Sequence, residues 1–172
     1  MRATQKLLHR VGPPTLQDGE QSTTLLGEWY ATALFWKPQV ALLVNETTLL
    51  PVLMPLAPAG TLSTRIAQQI ATVLTAHGTP SAIVDDELQR MRPCRFARTA
   101  NRSVVGIMIE FTHLVEVRHD SNPDPDLLEL ALRLATTPCS PLYGRNVSPD
   151  RELGALLRFS ATRDIAAGHL DD

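Results

Sequence analysis

The residues best suited to chemistry lie in one short run, Arg98-Thr99-Ala100-Asn101-Arg102-Ser103, where an alternating apolar and polar stretch gives way to a long apolar one. A strand that hands over to a helix there leaves amide protons free at the helix start, and those protons carry partial positive charge. Arg98 and Arg102 beside them, with Thr99, Asn101 and Ser103 as further donors, would make a site for a phosphate or carboxylate. Capping is the plainer reading, because Asn and Ser at such a junction are what a helix start requires. A second polar group, Asn45-Glu46-Thr47, falls between two apolar runs, and loops on a rigid scaffold carry sites. Turn chemistry accounts for it equally, with Asn45 supplying the turn. Glu110 and His113, three positions apart, would meet on one helix face as an acid-base pair, with Glu110 the base toward a small anionic substrate. One satisfied polar contact on a buried helix is the simpler account.

Signatures of established chemistries are absent. The five histidines, His9, His77, His113, His119 and His169, form neither an H-x-x-x-H nor an H-E-x-x-H pattern, so no metal is expected. Cys94 and Cys139 lie far apart without a histidine at ligand spacing and read as two free thiols. There is no nucleophile elbow and no glycine-rich phosphate loop, so no catalytic residue and no cofactor is expected. Trp29, Tyr30, Phe35 and Trp36 could stack nucleic-acid bases, but in the richest apolar stretch core packing explains them better. With 16 Lys and Arg against 18 Asp and Glu, the net charge of -2 offers no basic field for nucleic acid. No run of ~18 apolar residues exists for a membrane span, and the first residues lack the apolar run of a signal peptide, which together predict a cytoplasmic protein.

These residues must be held by elements that the patterning outlines. Arg2 to Thr4 reads as a short strand and Gln5 to Val11 as a brief helix stopped by Gly12-Pro13-Pro14. Leu26, Trp29, Tyr30, Ala33 and Leu34 recur at i, i+3, i+4, i+7 and i+8, which predicts a helix over 26–36. Val40–Val44 and Thr48–Met54 flank a polar turn and predict a hairpin, with Pro51 pushing its second strand to an edge. Helices are expected over 60–78 and from Ser81, a half-buried strand over 94–99, and a buried helix over 104–117 capped by Ser103. Asp124-Pro125 and Ser148-Pro149 each place a cap and a proline before a further helix. Beyond about Phe159 the chain turns polar and is expected to fray.

Several of these segments, in this order and spacing, resemble a prokaryotic family of uncharacterised proteins, domain of unknown function 6933. They are Thr4-Gln5-Lys6-Leu7-Leu8, Leu26-Gly27-Glu28-Trp29-Tyr30-Ala31, Val44-Asn45-Glu46-Thr47-Thr48-Leu49, Ala97 through Gly106, and Thr137-Pro138-Cys139-Ser140-Pro141-Leu142. After Gly106 the family tends to read Ser-Met-Asn-Asp-Phe, whereas this chain has Ile107-Met108-Ile109-Glu110-Phe111. The resemblance implies a small α+β domain and no assigned activity.

The expectation is therefore one compact α+β domain over 1–159, with a small antiparallel sheet and hairpin packed against several helices, followed by a tail over 160–172. The expected role is a non-enzymatic interaction or regulatory protein. Its partner is another protein or a second copy, meeting the apolar, proline-rich edge Pro51 to Pro58. The rival roles are a nucleic-acid or phosphate binder using Arg95, Arg98 and Arg102, and an enzyme acting through Glu110.

Overall fold

A computed structural model of the chain describes residues 1–16, 22–91, 94–121 and 125–167. In chain order the elements are β1 (Arg2–Ala3), α1 (Gln5–Val11), β2 (Trp29–Leu34), β3 (Val40–Asn45), β4 (Pro51–Pro55), α2 (Leu62–Ala76), α3 (Ser81–Arg90), β5 (Ala97–Arg98), α4 (Arg102–Ser121), α5 (Leu127–Ala135) and α6 (Pro149–Ala167). The strands form one five-stranded sheet in the order β4-β3-β2-β1-β5. β1 runs parallel to both β2 and β5, while β2, β3 and β4 form an antiparallel meander.

The expected helix over 26–36 is instead the strand β2, and the reason is burial on two sides. All six residues of β2 are buried, as are all six of β3. Alternate side chains go to opposite faces: Trp29, Ala31 and Ala33 join one core, with α1, α2 and α3. Tyr30 and Leu34 join the other, with α4 and α5. A strand covered on both faces has no polar side to betray its period, so its apolar run mimics a helical stripe.

The hairpin, the helices α1 to α3 and α4 stand where the sequence places them, but α4 is buried on one side only, since Ile109, Leu114 and Val117 are exposed. The half-buried strand over 94–99 shrinks to the two residues of β5. α5 is capped by Asp126, whose side chain accepts from Leu128 N and Glu129 N at 2.9 and 3.0 Å; the expected cap Asp124 lies outside the described residues. α6 runs past Phe159 as helix to Ala167.

One buried acid fixes how the chain enters β2. Glu87 of α3 lies within the core and accepts from Leu25 N, Leu26 N and Trp29 Nε1 at 2.7, 3.2 and 3.1 Å. The turn there needs Gly27, whose φ is 85° and whose added Cβ would meet Thr47 Oγ1 at 3.1 Å. Burial pushes the Glu87 carboxyl above its ordinary value of 4.5, against the three donors that favour its charged form. A raised folded value gives stability that is fully present below the unfolded value and is lost as pH rises through the folded one. Glu87→Ala leaves two buried donors, Leu26 N and Trp29 Nε1, and the part-buried Leu25 N without a partner and is expected to cost roughly 3 kcal/mol. In denaturant unfolding at a series of pH values, the gap between wild type and Glu87→Ala should be widest in acid and narrow toward neutral pH.

Candidate functional site

The two polar groups singled out in the sequence meet in the fold. Asn101 Nδ2 donates to Glu46 Oε1 at 2.7 Å, joining the start of α4 to the tip of the β3–β4 hairpin. Asn101 N donates to Tyr30 Oη at 3.1 Å, which ties the same residue to β2. Its remaining acceptor caps α4: Asn101 Oδ1 receives Ser103 N at 2.9 Å and Val104 N at 3.4 Å. The cap is therefore Asn101 and not Ser103, because α4 begins two residues earlier than the apolar run suggests, at Arg102. Two amides that an anion would need are already taken by this side chain.

The hairpin tip is scaffold. Asn45 is fully buried; its Nδ2 donates to Leu26 O and Glu28 O at 3.0 and 3.4 Å. Its Oδ1 accepts from Thr47 N, Thr48 N and Thr48 Oγ1 at 3.1, 2.9 and 3.0 Å. Glu46 N donates to Glu28 O at 2.8 Å. The Thr47 carbonyl accepts from Arg145 Nη2 at 3.2 Å, and Arg145 also pairs with Glu152 of α6 at 2.9 Å. Leu49 follows with φ of 59°, a costly conformation for a branched residue that its buried side chain offsets.

Arg98 lies exposed at the end of β5, and its carbonyl accepts from Arg2 Nη1 at 3.5 Å. Arg2 also bonds Glu28 through Nε at 2.5 Å. Thr99, Asn101 and Arg102 line a shallow depression of about 390 Å³ with Val105, Gly106 and Ile109, on the outward side of α4. Glu110 is exposed and lines neither depression beside α4; His113 pairs instead with Glu116 one turn further on, at 3.6 Å. Of the two isoleucines at 107 and 109, Ile107 is core and Ile109 is 54% exposed.

A second cleft, of about 400 Å³, opens on the other flank of α4, between it and the start of α1. Its floor carries the Thr4 and Thr32 hydroxyls, hydrogen bonded at 2.8 Å, and its rim carries Lys6, His113 and Glu116. Lys6 and Arg10 also sit over the exposed ring of Phe35, 6.0 and 5.6 Å from its centre. Trp36 is buried against His119, the ring centres 4.4 Å apart. Sequence reasoning missed the cleft because Thr32, assigned to a helix, gave no sign of facing a sheet surface. As a strand residue it is the one polar side chain in β2, and that is the signal.

The expected contact edge is buried over Pro51 to Met54 and at Leu56 and exposed at Pro55, Ala57 and Pro58. Helix α5 packs beside β4. Arg65 of α2 donates to the carbonyls of Pro55, Leu56 and Pro58 at 2.9, 3.1 and 3.0 Å, and Gln69 reaches Leu53 O at 3.4 Å. Both thiols are free; burial raises Cys94, and burial with Glu110 nearby pushes Cys139 up to about 11. Among the described residues no three His, Cys, Asp or Glu side chains come together as a metal site, and no helix is long and apolar enough to cross a membrane.

The chain belongs to the family described as domain of unknown function 6933, whose model matches residues 1–152. No curated protein and no solved structure matches it. Asn101→Ala removes the cap and leaves Glu46 without its partner, while the backbone N–H to Tyr30 Oη stays, so it is expected to lower the free energy of unfolding by about 2 kcal/mol. In a double-mutant cycle with Glu46→Ala, a coupling of about 1 kcal/mol is expected; strict additivity would show that the contact holds nothing together.

Proposed function

We propose that this domain is a non-enzymatic interaction or regulatory protein of the prokaryotic cytoplasm, and that its contact surface is the outward face of α4. One observation carries the reading: Ile109, 54% exposed, lies near the middle of α4 between two depressions, with Val117, 69% exposed, two turns further along. The inner side of the same helix is fully packed, with Val104, Ile107, Met108, Phe111 and Val115 all buried. Large apolar side chains grouped on the outer side of so well anchored a helix mark a surface that something covers.

The rival roles draw less support. An anion at Arg98 to Ser103 would compete with Asn101 for the Ser103 and Val104 amides, and Thr99 and Arg102 line a depression too open to shed water from a phosphate. Glu110 lines neither of these two depressions, so neither of them supports a role for it as a base.

A photocrosslinking residue placed at Ile109, in cells of the source organism, should yield a defined crosslinked species. The same residue at Thr72, exposed on α2 across the sheet, should not. No adduct at Ile109, or equal adducts at both positions, would remove α4 as the contact surface.

A further inference from the structure

We infer that the partner covering α4 is a second copy of this chain, with the two α4 helices packed antiparallel about a two-fold axis at Ile109. The inference rests on the reading of α4 as a contact face and adds the partner and the register.

Four features of the helix converge on it. The outward residues Arg102, Gly106, Ile109, His113 and Glu116 follow one another at spacings of four, three, four and three, a mean of 3.5, so they form one stripe along the helix with the apolar Ile109 at its centre. That stripe is self-complementary. Arg102 precedes Ile109 by as many positions as Glu116 follows it, so antiparallel pairing sets each Arg102 against the other copy's Glu116, twice per dimer.

The third feature is Gly106. A glycine inside a helix is destabilising relative to alanine, and a Cβ added there would meet nothing within 4 Å. The chain's own packing therefore gives no reason for it. Close approach of a side chain from outside does: in the antiparallel register the partner's stripe brings its own copy of the exposed His113 to the depression that Gly106 floors.

The fourth is the position of Arg102. It occupies the first turn of α4, where the helix dipole is positive and disfavours a cation. A carboxylate from a neighbouring copy offsets that penalty, and antiparallel helices also oppose their dipoles favourably. One helix pair of this length buries less than the ~1,600 Å² of a standard interface, so the dimer is weak and reversible.

Sedimentation velocity and equilibrium on the full chain over a concentration series test this. The wild type should show a monomer–dimer equilibrium. Arg102→Glu and Glu116→Arg should each raise the dissociation constant by about tenfold or more, since each places like charges opposite one another twice. The double variant carrying both should recover to within about threefold of wild type, because the pairs are restored with their signs exchanged. Gly106→Leu should abolish dimerisation while the thermal midpoint stays level or rises, which separates loss of pairing from loss of folding. A chain that stays monomeric at all concentrations overturns the inference. So does a dimer indifferent to these charge reversals, or one weakened by each single change and not rescued by the double. A monomer that still crosslinks to a different protein at Ile109 would defeat the self-pairing and leave α4 as the contact surface.

Discussion

The side chain of Asn45 holds the arrangement together. It stands fully buried at the end of β3, and its two donors and its acceptor oxygen are all engaged. A buried amide left unmatched would cost several times what one hydrogen bond contributes, so the backbone of residues 26 to 28 and of 47 to 48 must come to it. That closes the hairpin turn against the entry to β2 and aims Glu46 outward. Glu46 meets Asn101, Asn101 meets Tyr30, and the first turn of α4 is thereby fixed over the sheet. Each step uses a polar group that the previous one has positioned.

The division of the sheet between two cores follows from the same constraint. Val40, Leu42 and Val44 point to one side of β3 and Ala41 and Leu43 to the other. Small residues, Ala31, Ala33 and Ala41, gather on the face that receives α1, α2 and α3, and larger ones on the face that receives α4 and α5. Opposed packing on both faces leaves the central strands no freedom to slip, since a shift of one residue would exchange the two sets of side chains.

Much of this was legible in the residues, and the failures have a common cause. The helix over 62–76 announces itself because one face is wet: Ile66, Ile70, Val73 and Leu74 repeat against polar neighbours, and Gly78 with φ of 74° marks its end. Residues 29–34 have no wet face, so the spacing of Trp29, Tyr30, Ala33 and Leu34 carried no information about period. The same error hid the cleft beside α4, because Thr32 matters only once β2 is a strand. The meeting of Asn101 with Glu46 joins two chain reversals, where polar side chains must find partners nearby, but patterning along the chain does not say which reversal lies beside which. Which of Asn101 and Ser103 caps the helix is a matter of two residues' register, and apolar patterning does not resolve that.

The treatment of the sheet edges limits how copies of this molecule can meet. Strand β5 is two residues long, too short to template another strand. At the opposite edge, Pro51 and Pro55 present no N–H, and Arg65 and Gln69 occupy carbonyls along and just beyond β4. Neither border offers the unbroken ladder on which amyloid-like stacking or strand exchange grows. A chain with 44% hydrophobic residues and little net charge to keep copies apart thus shields its sheet from strand-by-strand polymerisation at both borders.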